Sequence, residues 1–471
     1  MKYTSIFAVL VLLLSMGCQR TLDDINANPN APEVVSPQFL LSNVLWEAAN
    51  ENSVQGWHAG NLLAQHTSNI EFLPVDRYDL GNNTAYWNHL YRLLNDIKAL
   101  QDASEPDGAY YAVGDVLKAW IASQLTDLWG PVPFFEAVSG ASEGNWTPKF
   151  DEQEDIYTAE GGILDLLRNA ATQLGNTNEA LAGDIMYGGN LDNWIRLANS
   201  LRFRYLLRIS NRMNPSAEMQ DILNGGMVMN SNADNGTIDY LTSAPNQWVI
   251  FNEREGRYTD VRMSATIDTI LNGLSDPRVD VLFKPTAVSP TEYKGLPNGL
   301  SRDSQTAYNL SDISLVGAFF RDIPDGPSAN FMHYSELQFA MAEAAERGLL
   351  SGTASGYYEE GIRASFEYYG LAVDASYLSA PGVVLDGTNN LERILTQKWV
   401  SLFLVGHEAW FNIRRTGYPV LEIPADNLNG NVFPVRYRYP ESEQAVNGAN
   451  YSAAVGSLGA DDYNQASWWG Q

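Results

Sequence analysis

The sequence predicts a mostly α-helical fold in which helical hairpins carry an irregular, loop-rich subdomain. The helices are indicated by apolar residues that recur at the helical period, in segments bordered by residues that cap or stop helices. The subdomain is indicated by the stretch from about 224 to 330, where Gly, Pro, Asn and Asp recur every few residues. Loops of this length are uncommon unless they bind a ligand or form a small subdomain. The chain has 471 residues, 45% of them hydrophobic, which is enough to bury one large core.

The N-terminal segment predicts export and a lipid anchor. A basic start precedes an uninterrupted apolar run at 6–14, which is too short to cross a bilayer but is typical of a secretory signal. Cys18, the single cysteine of the chain, follows Ser15, Met16 and Gly17. This junction is similar to a bacterial lipobox, in which the thiol is acylated after cleavage, although Ser15 stands where Leu is usual. A lone cysteine cannot form an intramolecular disulfide, so acylation is the role that the position of Cys18 favours.

These features predict how the chain is divided. We expect a lipoprotein signal peptide at 1–17, an acylated N-terminus and tether at 18–36, and a single domain at 37–471. Within that domain we expect helical hairpins at about 84–130 and 331–370 and a loop-rich region at about 224–330. No other apolar run is long enough to span a bilayer, so we expect the lipid alone to attach the protein to the membrane.

Two hairpins are predicted from paired helical patterns. The first reads AYWNHLYRLLNDIKALQD and then YAVGDVLKAWIASQLTDLWGPVP. Its second helix ends at Gly130 and Pro131, because glycine permits a left-handed cap and proline cannot continue a helix. The late hairpin reads FMHYSELQFAMAEAAERGLL and then YYEEGIRASFEYYG. Its second helix resembles that of a tetratricopeptide repeat, while the first fits only loosely, so the repeat is degenerate.

An arginine stripe lies on the helix predicted between the hairpins. Arg204, Arg208 and Arg212 recur every four residues and therefore share one helix face. Such a stripe could hold an anion, but the chain contains 56 Asp and Glu residues. We therefore expect the stripe to pair with carboxylates and to be structural.

The charge balance limits the possible ligands. The chain has 29 Lys and Arg against 56 Asp and Glu, which gives a net charge of −27 and a pI near 4.4. Such a surface repels phosphate backbones, so nucleic acid is excluded as a ligand and strongly anionic glycans are disfavoured.

The motifs do not indicate catalysis. HEAWF, which begins at His407, lacks the second His of a zinc protease motif. NSNADNGTID is similar to a calcium loop, but its glycine comes one residue late and no Glu closes it, so it predicts a polar turn. Glu253 and Glu255 could form a glycosidase pair, but acidic pairs are frequent in this chain. We therefore predict that the protein is not an enzyme and uses no metal or cofactor.

The candidate ligand-binding residues are aromatic and polar side chains in loop-like stretches such as NIEFLPVDRYDL and NQWVIFNEREGRYTD. Aromatic faces beside Asp, Asn and Arg suit the C–H faces and hydroxyls of sugars, or the side chains and backbone of peptides. The alternative is that these rings pin long loops to the helical scaffold. The candidates are Phe72, Arg77, Tyr78, Trp248, Phe251, Tyr258, Tyr293, Phe319 and Phe320.

The C-terminal third contains two distinctive segments, LERILTQKWVSLFLVGHEAWFNIRRTGYPVL and FPVRYRYPESEQAVN. They resemble the end of the SusD/RagB family of nutrient-binding surface lipoproteins, especially its SusD-like branch, and LTDLWGPVPFFEA and the NPNAP leader also match. The resemblance implies one α-rich domain on degenerate tetratricopeptide helices, with the ligand site on the loop-rich part. It also implies an outer-membrane location facing the extracellular side, and a SusC-like TonB-dependent transporter as the partner.

The resemblance implies oligosaccharides as the ligand, or peptides in some members. No ligand residues are transferred from the family, because they lie in variable loops without a motif to align. Two alternatives from other functional classes stay open: a surface glycoside hydrolase, and a structural or adhesive surface lipoprotein.

Overall fold

The computed structural model of this protein describes residues 35–252 and 260–470. The signal peptide, Cys18 and Tyr258 lie outside the described residues. The predicted fold class is confirmed: the chain is mostly helical, with paired helices and an irregular loop-rich part. In the described residues, no helix is both long and apolar enough to pass through a membrane.

Helices dominate the first half of the described chain. They are α1 (Pro37–Gln55), α2 (Asn61–Leu63), α3 (Thr84–Asp102), α4 (Ala109–Trp129), α5 (Gly140–Glu143), α6 (Gln153–Thr158), α7 (Ile163–Leu174), α8 (Leu191–Arg208) and α9 (Ser216–Asn224), with a π-helix (Gly56–Gly60) between α1 and α2. Helix α4 ends where Gly130 takes a φ of +87° and Pro131 follows, as the sequence predicts.

The loop-rich part contains short elements. Its helices are α10 (Val249–Asn252), α11 (Ala265–Leu274), α12 (Val279–Leu282), α13 (Arg302–Gln305) and α14 (Ala318–Arg321). The strands are β1 (Thr67–Asn69), β2 (Gly236–Ile238), β3 (Val261–Met263) and β4 (Ala329–Met332), and 3₁₀ turns lie at Asn232–Asp234 and Leu310–Asp312. The NSNADNGTID segment begins as a polar turn, as predicted, with the Asp234 carboxylate accepting from the Asn230 N–H at 2.8 Å.

The C-terminal part returns to helices. They are α15 (Tyr334–Glu346), α16 (Ala354–Tyr368), α17 (Ala375–Leu378), α18 (Asn390–Ser401), α19 (Glu408–Thr416), α20 (Glu441–Val446) and α21 (Gly448–Leu458), followed by a 3₁₀ turn at Trp468–Gly470. Helices α15 and α16 pack closely, because Gly361 leaves room for the buried ring of Phe339.

Two of the three arginines of the predicted stripe, Arg204 and Arg208, lie inside the molecule in α8. Arg212 is exposed and comes after the end of that helix at Arg208, so the prediction that all three share one helix face is wrong for Arg212. Arg204 pairs with Glu336 of α15, with Nε and Oε1 2.6 Å apart, and Arg208 pairs with both Asp127 of α4 and Glu408 of α19. The structural interpretation of these two residues is confirmed, since their carboxylate partners come from three other helices. Ion pairs in this setting have to offset the cost of burying charge, so their presence alone is weak evidence of added stability.

Short strand pairings hold the loops to the helical body. Strand β1 pairs antiparallel with β3, placing Ser68 opposite Arg262, and β2 pairs with β4. Bridges from β3 and the residue after it reach Leu315 and Leu296. Segments that are more than 200 residues apart in the chain, such as Ser68 and the carbonyl of Pro297, therefore meet at one surface.

Candidate ligand-binding face

The loop that follows β1 is organised around one buried carboxylate. Asp76 accepts hydrogen bonds from Ser68 Oγ (3.1 Å), the Asn69 N–H (3.1 Å), Asn298 Nδ2 (2.6 Å) and the Gly299 N–H (2.9 Å). Burial raises the pKa of Asp76, while these four donors oppose that rise. The loop is thus fixed both to its own strand and to the loop that precedes α13.

The outer surface of this loop presents an aromatic ring beside a charged pair. Phe72 has 53% of its surface exposed and a φ of +53°, a left-handed backbone that is unusual for a bulky residue. Next to it in sequence, Glu71 Oε1 accepts from Arg302 Nη1 at 2.9 Å, and this hydrogen bond lowers the pKa of Glu71. Strained backbone conformations concentrate at functional sites, where surrounding contacts enforce them.

A small apolar cluster supports the loop from below. Leu296, Leu300 and Ile313 are buried together, and Ile70 and Tyr308 pack against them. Because this cluster joins the loop after β1 to the segment around α13, Phe72 and Arg302 are presented on one support.

A third loop, residues 418–432, borders the same surface. Arg77 Nε donates to the Asp426 carbonyl at 2.7 Å, and the Ser301 N–H donates to the Asp426 carboxylate at 2.8 Å. Hydrogen bonds from Ser304 and Ser301 lower the pKa of Asp426 to about 2. This loop exposes Val420 (74%) and Leu428 (54%). We call the surface formed by the loop after β1, the segment around α13 and residues 418–432 the ligand face.

Three of the sequence-predicted residues lie in the loop after β1, and of these only Phe72 is mainly exposed. Phe72 is exposed, and Arg77 is half-buried where it ties two loops together. Tyr78 is buried beneath them, with its ring edge against Phe433 and its hydroxyl accepting from Gln65 Nε2 at 3.4 Å.

Four other predicted residues form a separate, packed group. Trp248 is fully buried, and its Nε1 donates to the Phe320 carbonyl at 2.7 Å. Phe320 is buried, Phe319 stands edge-on to it at 5.0 Å, and Phe251 is half-buried against the same core. In this structure the rings of Trp248 and Phe320 are buried and offer no face to a ligand. They fit the alternative stated above, in which aromatic rings pin the loops to the helical scaffold.

The remaining predicted aromatic residues lie elsewhere. Tyr293 is half-buried, and its hydroxyl donates to Asp280 Oδ1 at 2.8 Å. Tyr258 is outside the described residues, as are Glu253 and Glu255 of the possible glycosidase pair.

Sequence reasoning missed Arg302, Glu71 and Tyr308. Glu71 directly precedes the predicted residue Phe72, so its position in the sequence could have suggested it. Arg302 lies 231 residues from its partner, so no local pattern indicates the pair.

The buried histidines make contacts within the core. Burial lowers the pKa of His66 and His407 to about 3 and that of His333 to about 4, so they are neutral at physiological pH. His66 Nε2 lies 2.9 Å from the Trp399 carbonyl, and His407 Nε2 lies 2.7 Å from the Tyr437 hydroxyl. In the part of the chain that the structure describes, no cluster of three or more His, Cys, Asp or Glu side chains is placed to hold a metal ion.

The fold places this chain in a class of mostly helical proteins with an irregular, loop-rich part that carries the exposed ring of Phe72. A family model described as "starch-binding associating with outer membrane" matches residues 29–440, and the chain belongs to this SusD-like family. The resemblance seen in the sequence is therefore confirmed. A comparison with curated proteins gave no match.

Solved structures with the same fold come from Bacteroidetes. A SusD homologue from Bacteroides fragilis shares 28% identity with a TM-score of 0.81, covering 93% of this chain and 99% of that one. A chitin-binding SusD homologue from Flavobacterium johnsoniae shares 26% identity with a TM-score of 0.79, covering 92% and 98%. A SusD-like protein from Bacteroides thetaiotaomicron shares 25% identity with a TM-score of 0.78, covering 92% and 98%.

Proposed function

We propose that this protein is a cell-surface lipoprotein that captures oligosaccharides and passes them to a SusC-like TonB-dependent outer-membrane transporter. The observation that carries the proposal is the ligand face, where a loop fastened around Asp76 holds Phe72 beside the Arg302–Glu71 pair. Support also comes from a family described by starch binding and outer-membrane association, and from a chitin-binding relative. The proposed role is binding and transfer, with no catalytic step.

The chemistry of the ligand face suits a neutral glycan. The exposed ring of Phe72 matches the apolar C–H face of a sugar. Arg302 supplies donors and Glu71 supplies acceptors for hydroxyl groups, and both are already oriented by each other. A net charge of −27 disfavours anionic glycans. Because the loops are held in place before binding, little ordering entropy opposes capture.

The rim of the ligand face suits a protein partner. Leu428 is more than half exposed, and its N–H donates to the Arg77 carbonyl in the loop after β1. Val420 is also more than half exposed, and it lies nearer the start of the same loop, beside α11 and α18. Exposed apolar residues beside a polar binding surface are typical of a protein–protein contact. We propose that a transporter covers this rim and encloses the cargo held at Phe72. The lipid on Cys18 would keep the protein at the membrane.

Oligopeptides are the second candidate cargo. The Arg302–Glu71 pair places both charges next to Phe72, and a peptide can offer carboxylates, amines and apolar side chains to such a surface.

The experiment is purification of the tagged lipoprotein from native outer membranes in mild detergent, with mass spectrometry of what accompanies it. We expect a large outer-membrane transporter together with glycan, and peptide in place of glycan would favour the second candidate. The double variant Val420→Asp, Leu428→Asp should lose the transporter. Phe39→Asp, which changes an exposed ring on α1, should retain it. A wild-type protein that elutes alone and empty contradicts the proposal.

A further inference from the structure

Trp146 differs from the other tryptophans in its exposure. Of the tryptophans in the described residues, Trp146 alone is mainly exposed, at 74%, while eight others are fully buried. Leaving so large an apolar surface in water is unfavourable, and exposed aromatic rings with polar surroundings are typical of binding surfaces.

The ring of Trp146 is held in place from behind. It lies against Gly140 of α5, where an added Cβ would come within 2.7 Å of the ring atoms Cε3 and Cζ3. Glycine at this position therefore lets the indole approach the helix closely while most of the side chain stays exposed. A ring that is supported in this way loses little conformational freedom when it stacks on a ligand.

The loop that carries Trp146 is fixed at both ends. On one side, Glu136 Oε2 accepts from Asn145 Nδ2 at 3.1 Å and from the Lys149 N–H at 3.3 Å. On the other side, α21 contributes Asn450, whose Nδ2 donates to the Thr147 carbonyl at 2.9 Å. The loop that carries the ring is thus held by side chains of two other segments, the one before α5 and α21.

A cleft of about 290 Å³ is lined by Ser142 and Glu143 of α5, the same short helix whose Gly140 contacts the Trp146 ring. Its wall includes Glu136, which holds the Trp146 loop, and Glu143 of α5. It also contains Tyr111, Phe135 and Lys118, whose ammonium lies 5.4 Å from the centroid of the Phe134 ring. The cleft therefore combines aromatic surface with donors and acceptors, which is the composition expected of a small-molecule site.

We propose that Trp146 and this cleft form a second carbohydrate-binding site, which takes one or a few neutral sugar units and shares no residue with the ligand face. The indole stacks on the C–H face of a sugar, and Tyr111, Lys118 and Glu143 hydrogen-bond its hydroxyls. The assignment of a sugar as the ligand of this second site rests on the proposed function. The cleft volume of about 290 Å³ lies just below the usual range for ligand sites, which begins at about 300 Å³, and this favours a short stretch of glycan over a protein surface as its occupant.

The test uses the full mature lipoprotein labelled with 5-fluorotryptophan and titrated with maltotriose and with chitotriose. These sugars are short, so one molecule occupies one site. The ¹⁹F signal of Trp146, identified by its loss in Trp146→Phe, is expected to shift and saturate in wild type and in Phe72→Ala. In Gly140→Ala the added methyl group displaces the ring, and we expect at least a tenfold weaker response. The melting temperature of each variant, compared with wild type, shows whether it remains folded.

The outcomes separate this inference from the proposed function. If calorimetry shows a trisaccharide binding that Phe72→Ala abolishes, while the Trp146 signal stays unmoved, the second site is wrong and the ligand face stands. If the Trp146 signal responds and Phe72→Ala changes no affinity, the second site stands and the ligand face is wrong. If neither trisaccharide binds to the wild-type protein, both sugar assignments are overturned.

Discussion

At the scale of single residues, recognition is expected to depend on Phe72. Its backbone is left-handed and its ring is exposed, and the four hydrogen bonds to Asp76 fix the loop that carries it. The sequence indicated Phe72 because an aromatic ring stood beside charges in a loop-like stretch. It could not distinguish this ring from Trp248, which has similar neighbours in sequence but is fully buried.

Phe72→Ala should weaken oligosaccharide binding about tenfold, because removal of a stacking ring at the centre of a site costs roughly 1.4 kcal/mol or more. Isothermal titration calorimetry with the glycan recovered from the native complex measures this change. Phe39→Ala is the matched control, since it removes an exposed ring (65%) from α1, and it should leave affinity unchanged. Equal affinity in Phe72→Ala and wild type would remove Phe72 from the site.

At the scale of elements, packing between helices depends on where small residues fall. Gly361 and Gly356 both lie in α16, but an added Cβ at 361 would come within 2.9 Å of the Phe339 ring, whereas one at 356 meets nothing within 4 Å. The sequence predicted both helices of this hairpin from their periodicity. Which glycine touches the partner helix was decided by the way the helices pack.

Gly356→Ala should raise stability by about 1 kcal/mol, because alanine favours the helix and meets no obstacle. Gly361→Ala gains the same propensity but pushes against a ring that cannot move aside, so it should lower stability by about 1 to 3 kcal/mol. Thermal melting followed by circular dichroism compares the two variants with wild type. Stabilisation by Gly361→Ala would show that the α15–α16 contact is looser than the structure indicates.

The buried charges add a second prediction at this scale. Burial alone would raise the pKa of Glu343, but Arg415 and Lys398 outweigh that effect and lower the pKa to about 2, against an ordinary value of 4.5. Arg415 Nη2 donates to Glu343 Oε2 at 2.7 Å. A carboxyl whose pKa is depressed in the folded state contributes stability above its unfolded pKa and loses it as the pH falls through the folded pKa.

We therefore expect Glu343 to contribute about 3 kcal/mol at neutral pH, which is lost between pH 4.5 and 2. Glu343→Gln should be less stable at pH 7 and should show a smaller loss of melting temperature over that interval. Melting curves of both proteins from pH 7 to pH 2 give the comparison. Parallel curves for the two proteins would mean that the ion pairs of Glu343 do not set its pKa.

At the scale of the whole molecule, the proposed function requires a folded domain tethered to a membrane surface. The described residues contain no helix suited to span a bilayer, and the sequence places its one cysteine directly after the predicted signal peptide. Several acyl chains on one cysteine give stable anchoring without a spanning segment, because each buried methylene adds about 0.8 kcal/mol.

Cys18→Ala should therefore yield a folded protein that no longer sediments with membranes. Fractionation followed by immunoblotting measures its distribution, and circular dichroism of the released protein checks its fold. Cys18→Ser serves as a second variant, because it keeps the polarity and size of the position but cannot be acylated in the same way. Membrane-bound protein in both variants would contradict acylation.

The sequence by itself determined the local features of this protein. The helices followed from apolar periodicity and from stop residues such as Gly130, since these act within a few residues of the chain. Family membership followed from contiguous motifs near the C-terminus. The structural role of Arg204 and Arg208 followed from the excess of carboxylates, although their partners in α4, α15 and α19 could not be named.

Only the tertiary structure decided which aromatic rings reach solvent and which polar groups accompany them. Phe72 and Arg302 share a surface because β1, β3 and the loop before α13 meet there, and Trp146 is exposed because Gly140 and α21 hold its loop. Trp248 is buried by contacts with Tyr240 and Phe320. Burial depends on contacts between segments that are distant in the chain. A local sequence pattern therefore shows which type of side chain is present but does not show whether it is exposed.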